Sequence, residues 1–379
     1  MRRLAPVLIA GLGLCLNGSA KAQSSDELLQ YCRDPHPEIR VLACTVIIDK
    51  GLDNAEAMAD AYTSRGTAHS IQGDQDLAIE DFGHAMEFSP GRELVFGYRG
   101  AAYLAKSDYD HAIADFDRAI ALDGNYTDAL FGRASALRSR GDTDRAIDDY
   151  SRVLRLDPDY LEAIAFRGIA YRDKDEPDLA IADFDRLIAR NPNDAQAFNL
   201  RAITYRDKGD AERSLADFDA AIRLAPDDVP LIDNRGFTEL IFGRLVEARR
   251  DFVRALELRP QYPYSVLWLD LARRKSAQPE AGELARNARE VDLGRWPAAV
   301  LRLYVGQITP DDVRNEAASS PDPSVRQERS CEAAFYIGEL ELAGGNAGAA
   351  KNDFQAAVAT CPHSFMEYTG AVRELGSLP

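Results

Sequence analysis

Three regularly spaced arginines are the residues of this sequence that could do chemistry. Arg138, Arg172 and Arg206 recur at an interval of 34 residues. Arginine suits carboxylate binding because its planar guanidinium donates two parallel hydrogen bonds. One interpretation is therefore a row that grips a carboxylate or an acidic segment of a partner. The other is a solvated charged edge, since Asp173 and Asp207 lie alongside.

A second series of arginines recurs with an aspartate at the same interval. The arginines are Arg65, Arg99, Arg133, Arg167, Arg201 and Arg235, and the aspartates are Asp81, Asp115, Asp149, Asp183, Asp217 and Asp251. Because a partner charge accompanies every arginine, we predict structural ion pairs that fix helix register rather than a ligand-binding row. The sequence does not decide whether each arginine meets the aspartate of its own unit or of a neighbour.

Residues typical of catalysis or metal binding are not arranged in any usable pattern. The five histidines are His36, His69, His84, His111 and His363. They form no HExxH pair and no metal-ligand spacing with cysteine, and the sequence has no G-x-S-x-G elbow or phosphate-binding glycine loop. We therefore expect no catalytic site, no metal and no cofactor. The formal net charge of −17 also argues against a nucleic-acid partner.

Small, aromatic and helix-ending residues share the same interval and identify the elements that carry the arginines. The arginines of the second series precede a Gly or Ala. A later small position is occupied by Ala78, Ala112, Ala146, Ala180, Ser214 and Ala248. An aromatic position follows, occupied by Phe82, Phe116, Tyr150, Phe184, Phe218 and Phe252. Each unit closes with a helix-ending residue, namely Pro90, Gly124, Pro158, Pro192, Pro226 and Pro260. This pattern resembles the tetratricopeptide repeat, a pair of antiparallel helices. It predicts an all-α superhelical solenoid.

Six units fit this pattern without insertion. They are residues 59–92, 93–126, 127–160, 161–194, 195–228 and 229–262. The first helices of such units line a concave face, where we expect a peptide or protein segment to bind. The candidate partner-binding residues on that face are Phe131, Arg138, Ile169, Arg172, Asn199, Ile203, Arg206 and Phe237.

The N-terminus is typical of a secretory signal peptide. Arg2 and Arg3 precede an apolar run that is too short for a permanent transmembrane helix, and a small-x-small pattern predicts cleavage after Ala22. Lipoprotein processing at Cys15 is disfavoured, because the bulky Leu14 stands where that processing needs a small residue. Residues 1–22 therefore predict a periplasmic or secreted protein without an integral membrane span.

The flanks of the repeats carry four further cysteines. We expect a helical cap at 23–58, an irregular helical segment at 263–330, a repeat-like unit at 331–364 and a capping helix at 365–379. Two separated cysteine pairs in an oxidising compartment predict disulfides rather than a metal site, because the spacings are too wide for a zinc knuckle. The predicted bonds are Cys32–Cys44 and Cys331–Cys361.

The C-terminal third resembles the NlpI-type bacterial envelope proteins. The similar segments are SVLWLDLARRK, RLYVGQIT and the run from CEAAFYIGE through FQAAV and HSFMEY to AVREL. The resemblance implies a non-enzymatic adaptor that tethers cell-wall hydrolases and a processing protease, and it also implies a homodimer. The alternative function is a structural subunit of an envelope assembly or a polysaccharide-export complex.

Overall fold

The computed structural model describes residues 25–277, 282–363 and 365–378. The predicted signal peptide and Cys15 lie outside these residues. The described chain forms 21 α-helices and no strand, and it divides into two compact units, one ending at Ala170 and the other beginning at Tyr171. The all-α repeat fold predicted from the sequence is confirmed.

The first unit contains the N-terminal cap and the earlier repeats. Its helices are α1 Ser25–Tyr31, α2 Pro37–Lys50, α3 Ala55–Gln72, α4 Gln75–Phe88, α5 Glu93–Ala105, α6 Tyr109–Leu122, α7 Thr127–Arg140, α8 Thr143–Leu156 and most of α9 Leu161–Asp173. Each helix packs on the next along the chain from α1 to α8. Antiparallel pairs with short connections therefore build this unit.

The second unit contains the later repeats and the C-terminal helices. Its helices are α10 Pro177–Arg190, α11 Ala195–Asp207, α12 Ala211–Leu224, α13 Val229–Ile241, α14 Leu245–Leu258, α15 Pro263–Lys275, α16 Glu283–Asn287, α17 Ala298–Tyr304, α18 Pro310–Ala318, α19 Pro323–Ala343, α20 Ala347–Thr360 and α21 Met366–Ser377. Neighbouring helices again pack in sequence from α10 to α16, and α19 packs on α20.

Local sequence signals set the ends of the repeat helices. The Asp108 carboxylate caps α6 by accepting a hydrogen bond from the His111 backbone amide. Gly141 ends α7 with φ 92°, a left-handed conformation that residues with a Cβ rarely adopt. Together these signals confine each helix to about four turns and bring it back beside its partner.

The small residues of the repeats make room for the aromatic of the second helix. Phe116 on α6 is 2% exposed. A Cβ added at Gly100 would lie 3.0 Å from this ring, and one added at Gly132 would lie 2.7 Å from its Cε1 atom. One ring therefore packs against its own first helix and against the first helix of the following repeat, which stacks successive units.

Both predicted disulfides are present. Cys32 and Cys44 join α1 to α2 with their Cα atoms 4.8 Å apart, and this cap packs on Ala61 of α3. Cys331 and Cys361 have Cα atoms 4.7 Å apart. The first helix of the unit predicted at 331–364 starts before Cys331, because α19 begins at Pro323 after an Asp322 cap.

The C-terminal helices share one core with the last repeat. Trp268 on α15 is fully buried. Its ring lies 4.7 Å from Phe237 of α13 and 5.4 Å from Tyr336 of α19, measured between ring centroids. Helix α21 also contacts α13. The C-terminal helix therefore covers a first helix of the repeats, a position that a bound segment would otherwise occupy.

A candidate cationic binding pocket beside the C-terminal helix

The recurring Arg–Asp pairs are structural, as the sequence predicted. In the five pairs that follow, both carboxylate oxygens accept hydrogen bonds of 2.6–2.9 Å from one guanidinium. The pairs are Arg65–Asp81, Arg99–Asp115, Arg133–Asp149, Arg201–Asp217 and Arg235–Asp251. Each arginine meets the aspartate of its own repeat. These bonds tie the first helix of a unit to its second helix.

Several of these arginines also reach the preceding repeat. Arg133 donates from Nη1 to Asp117 at 2.5 Å, and Arg235 donates from Nη1 to Asp219 at 2.7 Å. Asp149, with a smaller effect from Asp117, raises the pKa of the Arg133 guanidinium well above its usual value. Burial lowers the pKa of Arg235, but Asp251 and Asp219 outweigh burial and raise it overall. The series therefore links neighbouring repeats as well as the helices of one repeat.

A pocket of about 330 Å³ opens beside α21 in the second unit. Its cationic lining residues are Arg172, Arg206, Lys208 and Arg373, and its acidic ones are Asp175 and Asp207. Pro177, Tyr368 and Val372 add apolar surface. The pocket is therefore locally cationic, although the formal net charge of the chain is −17. A site of this composition attracts an anion that also carries apolar atoms.

Arg206 is the most deeply buried cation of the pocket, being 2% exposed. Its guanidinium lies 5.5 Å from the centroid of the Phe237 ring. Both Nε and Nη2 lie 3.1 Å from the same oxygen, Oδ1 of Asp207. Thr369 of α21 donates to that oxygen at 3.2 Å. Asp207 therefore positions Arg206 and also holds the C-terminal helix against the repeat.

Arg373 comes from α21 and lines the same pocket. Its guanidinium lies 3.7 Å from the centroid of the Phe242 ring. Burial lowers the pKa of this group. His363 stacks on Tyr368 at 4.4 Å between ring centroids and completes this wall. Nothing in the repeat pattern indicates where α21 docks, so the sequence did not point to Arg373 or Tyr368.

The structure separates the predicted partner-binding residues into different surroundings. Phe131 belongs to an aromatic cluster, with ring centroids 5.3 Å from Tyr160 and 5.6 Å from Phe166. The guanidinium of Arg138 lies 5.6 Å from the same Phe166 ring. Ile169 on α9 is half-buried. These residues all belong to the first unit, where the aromatic cluster leaves Phe131 only partly accessible.

The remaining predicted residues lie in the second unit. Arg172 and Arg206 line the pocket, and Ile203 is half-buried. Asn199 accepts a hydrogen bond of 3.2 Å from Asn234. The expectation that Phe237 lines an open face is wrong, because this side chain is 0% exposed. Trp268 and α21 cover it, and a Cβ at Gly370 would lie 3.6 Å from its ring.

Carboxylates are buried in the same C-terminal core. Glu332 on α19 accepts hydrogen bonds from the Tyr264 hydroxyl at 3.0 Å and from the Trp296 indole at 2.8 Å. Burial and the nearby Glu367 raise its pKa to about 8. Burial raises the pKa of Glu367 to about 7, although it accepts a hydrogen bond from Tyr336 at 3.2 Å. Burial therefore favours the protonated form of both groups relative to an exposed glutamate.

The described residues contain neither a metal-ligand cluster nor a membrane-spanning helix. No group of three or more His, Cys, Asp or Glu side chains in residues 25–277, 282–363 and 365–378 could hold a metal ion. Within the same ranges, no helix combines the length and the apolar character needed to cross a bilayer.

Comparison with known families assigns the repeats. A sequence model of the tetratricopeptide repeat matches residues 99–160 and 167–229, and a second matches residues 59–92. The repeats are tetratricopeptide repeats. Tandem tetratricopeptide repeats mediate protein–protein interactions, and they do so through surfaces built by neighbouring helix pairs. The matched residues include Arg172 and Arg206.

Solved structures share this fold at low sequence identity. A tetratricopeptide-repeat protein from Parabacteroides merdae is 17% identical, with a TM-score of 0.51 over 80% of this chain and 93% of that chain. The C-terminal part of a repeat-containing protein from Cytophaga hutchinsonii is 18% identical, with a TM-score of 0.51 over 64% of this chain and 97% of that chain. At these identities the likeness shows the fold alone.

Proposed function

We propose that this protein is an exported, non-catalytic adaptor that joins other proteins in the bacterial envelope. One observation carries the proposal: residues 59–92, 99–160 and 167–229 match tetratricopeptide repeats, which are a protein-interaction fold. In the recurring Arg–Asp pairs, the arginine and the aspartate form an ion pair with each other. They stabilise the repeats and leave partner recognition to other residues.

Sequence and disulfides support the exported location. The signal-peptide pattern in residues 1–22 predicts secretion. The Cys32–Cys44 and Cys331–Cys361 bonds are of the kind that persists in an oxidising compartment. Sequencing the N-terminus of the protein recovered from the periplasm tests this step. We expect it to begin at Gln23, and an unprocessed N-terminus in the cytoplasmic fraction would contradict export.

The proposed partners are cell-wall hydrolases or an envelope protease, the classes implied by the resemblance of residues 263–376 to NlpI-type proteins. Affinity capture of the tagged protein from periplasmic extract, followed by mass spectrometry, tests this proposal. An unrelated exported protein with the same tag is the control. Enriched soluble hydrolases or proteases support the adaptor, whereas enriched outer-membrane or export components support a structural subunit instead.

Catalysis is tested separately with the purified protein. We expect no turnover of peptidoglycan fragments when the fragments are separated by chromatography after incubation. Turnover that persists after repeated purification would contradict a purely non-catalytic adaptor.

A further inference from the structure

The pocket beside α21 contains a cation, Arg373, with which no carboxylate of the described residues pairs. Lys208 forms an ion pair with Asp178, and Arg206 bonds to Asp207. Arg373 has the Phe242 ring as its described partner. An aromatic face attracts a cation less strongly than a carboxylate does. Arg373 therefore retains the capacity to bind an anion.

Arg206 retains a donor as well. Its Nε and Nη2 atoms share Oδ1 of Asp207. Within the described residues, its buried Nη1 has no hydrogen-bond partner. Glu367 lies close enough for Arg206 to lower its pKa, but no hydrogen bond joins the two. A buried guanidinium donor without an acceptor is costly, and an anion in the pocket that Arg206 lines would remove that cost.

We propose that this pocket binds a carboxylate of an acidic segment in a partner protein, with Arg206 and Arg373 as its principal donors. The inference rests on the proposed adaptor function and adds the chemistry that the adaptor recognises. A guanidinium edge matches the two oxygens of a carboxylate. Arg206 lies on a repeat helix and Arg373 on the C-terminal helix, so the ligand would bridge the two elements.

The rest of the lining favours a carboxylate on a short carbon chain. Pro177, Tyr368 and Val372 supply apolar surface that suits the methylene groups of a glutamate side chain. Asp175 and Asp207 in the lining disfavour a group that concentrates two negative charges on one centre. A single carboxylate therefore fits better than a multiply charged phosphate group.

Binding of a hexaglutamate peptide with blocked ends tests the proposal, with hexaglutamine as the uncharged probe. Titration calorimetry of the full mature protein is expected to show binding of hexaglutamate that weakens with salt, and weaker or no binding of hexaglutamine. The Arg373→Gln variant removes one charged donor at a half-buried position. We expect it to weaken hexaglutamate binding at least about tenfold, the value of one charge-assisted hydrogen bond.

A matched control separates the pocket from general surface charge. Arg250 lies on α14 in a different cation-rich groove and is 70% exposed at its side chain. Arg250→Gln removes the same charge and is expected to leave binding unchanged. An equal loss in Arg250→Gln and Arg373→Gln would overturn the pocket proposal. Arg206→Lys keeps the charge but removes the guanidinium, and we expect weaker binding if circular dichroism shows an intact helical fold.

Further probes identify the source of the carboxylate. A hexa-alanine peptide with a free C-terminus, compared with its amidated form, reports binding of a chain end rather than a side chain. Inorganic phosphate that binds more tightly than hexaglutamate would overturn the choice of a carboxylate. If hexaglutamate fails to bind while partner capture succeeds, the pocket proposal falls and the adaptor function stands. If both fail, the adaptor function is contradicted too.

Discussion

Removing Asp217 alone should destabilise the protein more than removing both Asp217 and its arginine. The Asp217 side chain is 9% exposed, and the Arg201 side chain is 20% exposed. Two hydrogen bonds of 2.7 Å join them. Asp217→Ala would leave the largely buried guanidinium with Asp185, whose side chain is 52% exposed, as its ion-pair partner among the described residues. The remaining charge would therefore be poorly compensated.

The expected magnitude follows from this partial burial. Breaking a fully buried ion pair costs about 3–5 kcal/mol, and breaking an exposed pair costs about 0–1 kcal/mol. Because Asp185 and solvent still reach Arg201, we expect Asp217→Ala to lower the free energy of unfolding by roughly 3 kcal/mol. The double variant Arg201→Met, Asp217→Leu removes both charges and should cost about 1 kcal/mol or less.

Hydrogen–deuterium exchange of α11 and α12 is the appropriate assay, because repeats can open locally before the whole chain unfolds. Urea unfolding followed by circular dichroism gives the global value. Asp227→Ala is the matched control, since Arg254 and Asp227 form an exposed pair at 2.9 Å with side-chain exposures of 48% and 72%. We expect a cost of about 0–1 kcal/mol there. A double variant at least as unstable as Asp217→Ala would refute the reasoning.

Three further predictions test the fold. Gly132→Ala places a Cβ 2.7 Å from Cε1 of Phe116. The overlap should lower the free energy of unfolding by about 1–3 kcal/mol, measured by urea denaturation. An unchanged urea midpoint would contradict the close packing. Replacing Cys331 and Cys361 with Ser removes a disulfide that spans 30 residues. The loss of loop entropy should lower the free energy of unfolding by roughly 3–4 kcal/mol. Reductant should cause no further loss at this site in that variant. The pKa of Glu332 is raised to about 8 in the native state, whereas the ordinary pKa of a glutamate is 4.5. Between these values the native state holds a proton that the unfolded state has lost, so the melting temperature should fall as pH rises from 5 to 8. Glu332→Gln should flatten this pH dependence. A melting temperature that rises over this range would contradict the buried, protonated carboxylate.

The repeat interval predicted the helices and the Arg–Asp pairs because each repeat buries the same positions in the same way. Arg133 and Asp149 could be assigned a shared role before any coordinates were known. The choice between own-unit and neighbour pairing needed the structure. It shows that Arg133 uses Nε and Nη2 within its repeat and Nη1 toward the preceding one.

The C-terminal helix is the main feature that repeat position could not predict. Phe237 has the same repeat position as Ile203, yet α21 and Trp268 bury it. The hydrogen bond between Asp207 and Thr369 joins residues 162 positions apart in the sequence. No local sequence pattern predicts such a contact. The start of α19 at Pro323 did have a signal, an aspartate before proline. The repeat interval pointed instead to Cys331.

Site-specific photo-crosslinking in the periplasm tests the central claim most directly. A photoreactive amino acid at Val372, which is 44% exposed and lines the pocket, is compared with one at Leu42, which is 41% exposed on α2. An adaptor that uses the pocket predicts a protein cross-link at Val372 that Arg373→Gln abolishes, with none at Leu42. Equal cross-links at both positions, or a Val372 cross-link that survives Arg373→Gln, would contradict it.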